Sequence, residues 1–415
     1  MLASLCAVTV LIGSQAGVSA PPKLEVRAGQ ISLVPPEPLA LGGYTERQDA
    51  KFQPGGQDLM FRVRELRQGD RRLLIGVAEM LTMPESLVRE VRRRVVTDPT
   101  APLGTQTNPD LLLVATHTHC APDSQMLNDR MTFRIPGIAG FNRRWLAWYA
   151  DRMAEGIAAT AATAPGSSTM TLQQAPAAFN RGRRTGAQPD PLVSRLGIGL
   201  TIYAAHPTIF SQAERTLQGD WPGQLMRKTG DMVVTGAIGD VSPAIDPLTP
   251  QETALERSDR MASGLMAALK SAPSEALSSD WATARIPITL GAPTPHPEFA
   301  KNNSISPEIA QILVGRFAPP QAELFGLRIG RVVIVGVPGE PTAAVARRIA
   351  APFAAQGQIA IVISHANGWA GYMLEPDDYA RGGYEATLAF HGPDLAVRLG
   401  ESATALAQRL APPKP

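Results

Sequence analysis

Residues 111–122, LLLVATHTHCAP, decide the fold class of this 415-residue chain. Five apolar residues, Leu111 to Ala115, form a short and nearly continuous run, which is typical of a strand buried on both faces. The run leads directly into Thr116-His117-Thr118-His119. The pattern therefore predicts a buried strand that ends in side chains able to do chemistry.

Outward from this strand, apolar runs of period two alternate with runs of period 3.6. Further strands are predicted within residues 59–80 (two strands about a turn at 68–70) and at 169–174, 196–205, 285–290, 331–337 and 359–364. Helices are predicted from residue 84 onward and at 144–160, 254–270, 341–353 and 394–410. The alternation predicts an α/β fold with mixed sheets flanked by helices. Residues 290–307, rich in Pro and Asn, are the best candidate for an excursion or lid loop.

The first 20 residues have the pattern of a cleaved signal peptide. They carry no charge, include an apolar stretch from Leu2 to Ile12, and end in Val18-Ser19-Ala20. A buried first strand is the alternative, because the usual basic start is missing. We expect an exported protein, periplasmic or secreted, with residues 21–415 as a single catalytic domain.

Charge and composition favour a small-molecule partner. The 39 basic and 37 acidic residues give a net charge of +2 without long runs of either sign, so neither nucleic acid nor an anionic membrane surface is indicated. No protein partner is indicated either. Apolar runs after the leader fall well short of the ~20 residues needed for a membrane span.

Unusual polar residues follow four of the predicted strands: His117 and His119, His206, Asp240 to Pro243, and Glu340. Strand ends converge on the ligand site of open α/β sheets, so we expect the active site there. His-x-His in an extended segment can direct both imidazoles at one ion, although ordinary hydrogen-bonded histidines give the same pattern.

Two of these residues also have structural alternatives. His206 alone would more often be structural. Glu340 follows a buried run and needs a cation nearby, which a metal would supply, but Arg181 or Arg183 could supply it as well.

Other catalytic signatures are missing. The sequence has no GxSxG, Walker A, GxGxxG, CxxC or HExxH motif, so any metal site must be assembled from distant residues. Cys120 directly follows His-x-His and could be a ligand or a nucleophile, but a lone thiol is more commonly a small buried side chain.

Taken together, these segments resemble the neutral/alkaline, non-lysosomal ceramidases. The matching segments, in the family's order, are ATHTHCAP (115–122), FNR (179–181), AHPT (205–208), GDVSP (239–243), PGE (338–340) and the block at 367–393 containing GY (371–372), EPDDY (375–379) and YEA (384–386).

The resemblance implies a single catalytic zinc ion and hydrolysis of the amide bond of ceramide. The zinc ligands it implies are His117, His206, Glu340 and Tyr372. It also gives His119 a role at the scissile carbonyl or in proton transfer, and it places Tyr384, Arg181 and, more weakly, Ser242 at the site. Zinc lowers the pKa of bound water towards ~7, which suits amide hydrolysis near neutral pH.

The sequence also departs from the family. Cys120-Ala121 replaces the usual Ser-Gly, and Ala244 replaces the usual Asn. The family's C-terminal β-sandwich is expected to be absent, which makes amide hydrolysis a firmer expectation than ceramide as substrate. The alternatives are a zinc hydrolase acting on another N-acyl amine, peptide-like amide or ester, and a non-catalytic metal or lipid binder.

Overall fold

The computed structural model describes residues 23–167 and 169–412. The signal peptide predicted at residues 1–20 therefore lies outside the described residues.

The strands are β1 (Glu25–Ser32), β2 (Met60–Gln68), β3 (Arg71–Ala78), β4 (Asp110–Ala115), β5 (Gly166–Ser167), β6 (Thr171–Pro176), β7 (Asn180–Gly182), β8 (Leu192–Leu196), β9 (Leu200–Tyr203), β10 (Met232–Thr235), β11 (Val241–Pro243), β12 (Ser274–Ala276), β13 (Trp281–Pro287), β14 (Glu323–Ile329), β15 (Val332–Gly336), β16 (Glu340–Pro341), β17 (Ile359–Ile363) and β18 (Tyr372–Met373). The helices are α1 (Glu85–Val95), α2 (Arg143–Ala161), α3 (Asp220–Thr229), α4 (Ala254–Ser271), α5 (Pro297–Asn302), α6 (Pro307–Phe317), α7 (Ala343–Ala354), α8 (Pro376–Ala380), α9 (Tyr384–Thr387) and α10 (Leu395–Arg409).

Three mixed sheets form the framework. Their strand orders are β4-β3-β2-β1-β5, β10-β9-β8-β6-β12 and β13-β14-β15-β17. Each sheet has one parallel pair, β3 with β4, β9 with β10, and β15 with β17, and its other pairs are antiparallel. Two small pairs, β7 with β11 and β16 with β18, complete the pairing. The predicted α/β class with mixed sheets flanked by helices is confirmed.

Strand β4 shows why its sequence is continuously apolar. Leu112 and Val114 pack into a central core that all three sheets share. Leu111 and Leu113, on the opposite face, pack against α1 and α2. Successive side chains of a strand point to opposite faces, so burial of both faces requires an unbroken apolar run.

Each sheet is covered by a pair of helices. Helices α1 and α2 pack together beside the first sheet, α3 and α4 beside the second, and α7 and α10 beside the third. The apolar face of α1 that the sequence predicts is buried at Leu87, Val88 and Val91. No helix in the described part of the chain is long and apolar enough to cross a bilayer.

Two predicted elements differ from the structure. The single strand expected over 196–205 is two strands, because the chain turns between Leu196 and Leu200, where Gly199 has a φ of 76° that favours glycine. The loop expected over 290–307 contains α5, and α6 follows it.

Candidate metal centre

The end of β4 brings His117 to the centre of the molecule. Strand pairing continues one residue beyond β4, because Thr116 N donates to Ala78 O, and His117 N then donates to Met80 O at 2.9 Å. His117 has a left-handed backbone with a φ of 69°. Such a conformation is uncommon outside glycine and costs about 1–3 kcal/mol, and it clusters at functional sites. The turn directs the imidazole inward, where it is only 4% exposed.

His206 arrives from the second sheet, three residues after β9. Its backbone N donates to Val241 O at 3.1 Å. Its Nδ1 lies 2.8 Å from Ile238 O, and Nδ1 of His117 lies 2.7 Å from Leu81 O. A carbonyl oxygen can only accept, so each Nδ1 carries the proton and each Nε2 presents a lone pair. This is the arrangement that histidine metal ligands normally have.

Glu340 and Tyr372 lie on the short strands β16 and β18, which follow β15 and β17 of the third sheet in the chain. They lie opposite each other in the short parallel pair β16 and β18, with Glu340 N donating to Gly371 O at 3.0 Å. Both side chains are almost fully buried. Oε1 of Glu340 accepts from Trp369 Nε1 at 3.0 Å, whereas Oε2 has no hydrogen-bond partner among the described residues.

The donor atoms of these residues fit one zinc ion. Ligand distances of ~2.0–2.1 Å around a tetrahedral zinc give edges of ~3.3–3.4 Å between ligand atoms. The two Nε2 atoms of His117 and His206 lie 3.2 Å apart, and Oε2 of Glu340 lies 3.6 and 3.4 Å from them. The Tyr372 hydroxyl lies 3.5 Å from Nε2 of His206. The Nε2 lone pairs of His117 and His206 face each other beside Oε2 of Glu340, which has no hydrogen-bond partner among the described residues. A cation between these three atoms would be favourable.

His119 lies on the same cluster. Its Nε2 is 3.3 Å from Nε2 of His117, so distance alone would also permit it as a ligand. Its ring packs beneath the backbone at Gly43, where a Cβ would come within 2.6 Å of the imidazole, and packs beside Tyr44 at 4.8 Å between ring centroids. Glycine at residue 43 therefore makes room for the His119 ring.

Burial sets the charges in the cluster. It lowers the pKa of His206 to about 4, with Arg183 acting in the same direction, and it also lowers the pKa values of His117 and His119. Burial alone would raise the pKa of Glu340, and the lowering of that pKa well below its usual range comes from His117 and His206 when an imidazole carries a proton, which neutral imidazoles at neutral pH do not. At neutral pH the centre is three neutral imidazoles around one carboxylate, the protonation state that zinc binding requires.

The arginine at this centre is Arg183, not Arg181. Arg183 donates to the Tyr372 hydroxyl at 3.2 Å, to Gly239 O at 2.8 Å and to Glu385 at 2.7 Å. Arg181 has a side chain 62% exposed and its carboxylate neighbour is Asp246, 3.9 Å away. The structure thus does not bring Arg181 to the cluster: β7 ends at Gly182, between the two arginines.

Ser242 does not line the cavity at the cluster either. It lies in β11, opposite Arg181 of β7. Its neighbours hold the site through the backbone: Val241 O accepts from His206 N, and Asp240 O accepts from Arg183 N at 2.8 Å. The segment therefore supports two site residues without contributing the Ser242 side chain.

Cys120 is a buried free thiol beside Arg47. Burial raises the pKa of its thiol to about 12, which Arg47, 3.5 Å from Sγ, only partly offsets. A protonated thiol at neutral pH is neither a good nucleophile nor a metal ligand. The interpretation of Cys120 as a small buried side chain fits this environment.

The cluster forms one end of a cavity of about 630 Å³. Arg183, Tyr372 and Tyr384 line the same polar end, and the ring of Tyr384, which is 61% exposed, lies 5.9 Å from that of Tyr372. Polar residues such as Glu46, Gln125 and Asn303 also line the cavity, but much of its wall is apolar. This apolar wall is built largely by α5, α6 and the late block, from Ile135, Ile138, Phe299, Leu313, Phe317, Trp369, Leu388 and Phe390. Such a cavity suits a ligand with one polar group and an apolar body.

Sequence reasoning missed two further residues at the cluster. Trp369 holds Glu340, as described above. His365 is fully buried, stacks on the His117 ring at 4.1 Å between centroids, and follows the end of β17. The signal that selected the other histidines, a polar residue just after a buried strand, also applies to His365.

Fold and donor set together define an α/β protein whose histidine and glutamate side chains could hold a metal ion at the polar end of an apolar cavity. The same fold occurs in a neutral ceramidase from Pseudomonas aeruginosa, with a TM-score of 0.75 and 16% identity over 94% of this chain and 75% of that chain. A ceramidase complexed with C2 matches with a TM-score of 0.73 and 15% identity over 94% of this chain and 76% of that one. No protein-family model matches the sequence, and a search of curated proteins finds no match. The predicted resemblance is confirmed at the level of the fold, which is that of neutral ceramidase.

Proposed function

We propose that this chain is a zinc-dependent amidohydrolase that cleaves the N-acyl amide of an apolar lipid, with ceramide as the leading substrate. The observation that carries the proposal is the convergence of His117, His206, Glu340 and Tyr372 at zinc-ligand spacing, at the polar end of an apolar cavity. The ceramidase fold supports it.

Those four residues would hold the ion, and zinc there would act as a Lewis acid and lower the pKa of water. Burial raises the pKa of Tyr372 well above its usual range, with Glu340 adding to the effect. The Arg183 guanidinium, whose hydrogen bond ends on the phenol oxygen, opposes this and positions Tyr372 towards Nε2 of His206. Arg183 is thus a positioning residue.

His119 is the proposed proton carrier. Burial keeps its imidazole neutral at neutral pH, so Nε2 can accept a proton from the attacking water and then donate it to the nitrogen of the leaving amine. An amine is a poor leaving group unless it is protonated. The Tyr384 hydroxyl, which lines the same cavity beside Tyr372, would donate to the oxyanion that develops on the carbonyl oxygen.

The apolar wall gives the substrate class. An acyl chain packed against Phe299, Phe317 and Phe390 would remove apolar surface from water. This burial stabilises the complex by about 25 cal/mol per Å² of apolar surface. The Trp369 ring stands edge-on to Phe390 at 5.5 Å, between this wall and Glu340. An acyl chain lying along the wall would place its carbonyl carbon at the metal cluster.

Metal content and turnover of four purified variants test the assignment of roles. We expect His117→Ala and Glu340→Ala to lose both zinc and amide hydrolysis. His119→Ala should retain zinc but lose hydrolysis by about 100-fold or more, since general acid–base groups contribute about 10²–10⁴-fold. Arg181→Ala, whose side chain points to solvent, is the control and should match wild type.

Two outcomes would contradict this assignment. Hydrolysis that survives in His117→Ala or Glu340→Ala would show that the cluster is not the catalytic centre. Zinc loss in His119→Ala would make His119 a ligand. Products from a panel of short-chain ceramides and other N-acyl amines, identified by mass spectrometry, decide the substrate class: cleavage of the other amides without ceramide would exclude ceramidase activity.

Export belongs to the same proposal. The leader predicted at residues 1–20 would direct the protein out of the cytoplasm and be removed after Ala20. N-terminal sequencing of the exported protein should then begin at Pro21.

A further inference from the structure

His365 is buried beside the metal centre with no hydrogen-bond partner for its ring. The side chain is 0% exposed, and neither Nδ1 nor Nε2 is paired among the described residues. A buried polar group without a hydrogen-bond partner costs about 1–3 kcal/mol of stability. An unpaired imidazole in a protein core therefore calls for a functional explanation.

The backbone around His365 holds the ring in place. Residues 364–367, which we call the junction segment, connect the three sheets: Ser364 N donates to Thr235 O, Ala115 N donates to His365 O, and Asn367 N donates to Leu113 O. The backbone N of His365 donates to Gly339 O at 3.1 Å, next to Glu340. The left-handed backbone of His365, with a φ of 54°, is therefore fixed from several sides.

The ring faces two members of the metal cluster. It stacks on His117 with an interplanar angle of 17°, and its Nε2 lies 3.9 Å from Oε1 of Glu340. Oε1 is the oxygen that Trp369 already holds, whereas Oε2 faces the Nε2 atoms of His117 and His206. The two oxygens of Glu340 thus have separate environments, one facing the ion site and one facing His365 and Trp369.

His365 is poorly placed to bind the same ion as His117. The lone pairs of an imidazole lie in the ring plane, and two nearly parallel rings with centroids 4.1 Å apart cannot both direct a lone pair at one point. The donors of His117, Glu340 and His365 do lie within 4.8 Å of one another, but the stacking excludes good ligand geometry for a shared ion. The His365 ring is suited instead to support His117 and Glu340, which would bind the ion.

We propose that His365 is a positioning residue for the metal centre, which orients the Glu340 carboxylate electrostatically through the polar edge of its ring, 3.9 Å from Oε1, and braces the His117 ring by stacking. Residues of this kind behind metal ligands raise affinity because they limit the orientations of the ligands, and their loss costs about 10–100-fold in metal affinity or activity. The inference rests on the proposed zinc site.

Zinc affinity of a matched pair of variants tests the role. His365→Met and His365→Gln have side chains of similar length, and neither favours the left-handed backbone, but only the Gln amide retains N–H donors. We expect His365→Met to bind zinc at least about 10-fold more weakly than wild type in competition with a chromophoric chelator. His365→Gln should recover most of the loss.

The thermal midpoint of the zinc-free proteins separates this role from a merely structural one. Both variants should lower it by similar amounts, whereas their zinc affinities should differ. Should His365→Met fail to fold, Trp369→Phe tests the same carboxylate from its other donor, with the same expected 10-fold weakening.

Equal zinc affinities in wild type and His365→Met would overturn the inference. Two zinc ions per wild-type chain, one of them lost in His365→Met, would also overturn it, because His365 would then be a ligand of a second ion. Both results differ from failure of the proposed function, in which wild type itself would bind no zinc.

Discussion

Replacing Glu340 by Gln should have opposite effects on zinc binding and on the stability of the zinc-free protein. The substitution keeps the shape of the side chain and keeps Oε1 as the acceptor for Trp369. It removes a buried negative charge, 2% exposed, whose Oε2 has no hydrogen-bond partner among the described residues. The new amide N–H groups would instead face the two Nε2 lone pairs of His117 and His206, 3.6 and 3.4 Å from the present oxygen.

The magnitudes follow from these contacts. A buried unpaired polar group costs about 1–3 kcal/mol, so zinc-free Glu340→Gln should be about 1–3 kcal/mol more stable than zinc-free wild type. Zinc sites with four protein ligands bind with about 10–16 kcal/mol, which is about 3 kcal/mol per ligand. Loss of the one anionic ligand should therefore weaken zinc binding by about 100-fold or more.

Thermal unfolding with a chelator and with added zinc measures both effects. Zinc should raise the midpoint of wild type strongly and that of Glu340→Gln weakly. The matched control is Glu79→Gln: Glu79 is equally buried, but it accepts from Met60 N at 2.8 Å and pairs with Arg227. That variant should lose stability because it breaks a buried pair, and its zinc affinity should equal that of wild type.

Two outcomes would show that Glu340 does not have this role. If zinc-free Glu340→Gln were clearly less stable than wild type, the carboxylate would already be satisfied within the protein. If zinc stabilised wild type and Glu340→Gln equally, Glu340 would not be a ligand.

Two other predictions concern neighbours of the cluster. Arg183→Lys keeps a charge but not the forked guanidinium, so amide hydrolysis should fall at least about 10-fold, whereas Arg181→Lys should stay within twofold of wild type; equal losses would refute the assignment. Zinc-free protein should lose stability below pH 6.5, because burial lowers the pKa of His206 from 6.5 to about 4 and the unfolded chain takes up that proton first. The full loss, reached towards pH 4, is about 3 kcal/mol, and urea unfolding across this range should show it; constant stability would contradict the neutral, buried imidazole.

Strand ends made much of the fold and site predictable. The run before His117 is apolar because both faces of β4 are buried, and a polar residue after such a strand stands out in the sequence. His206 and Glu340 follow the same logic in the other two sheets. His365, after β17, has the same signal and could have been selected by it.

The positions of Arg183 and Tyr372 depend on local geometry that periodicity does not encode. Arg181 and Arg183 are two residues apart, which in a continuous strand would put them on one face, but β7 ends between them, at Gly182. Tyr372 reaches Glu340 through a pair of two-residue strands, too short to leave a pattern. The motif resemblance supplied Tyr372, and it supplied Arg181, whereas the structure brings Arg183 to the cluster.

Zinc-dependent hydrolysis can be measured as the release of a free amine from an N-acyl lipid by this chain. Zinc-free protein, and the same protein after addition of one equivalent of zinc, would be incubated with a short-chain ceramide, and the sphingoid base would be quantified by mass spectrometry. We expect release of the base only with zinc, and none from Glu340→Gln with or without zinc. Release of the base by zinc-free protein at the same rate would show that the reaction does not depend on zinc.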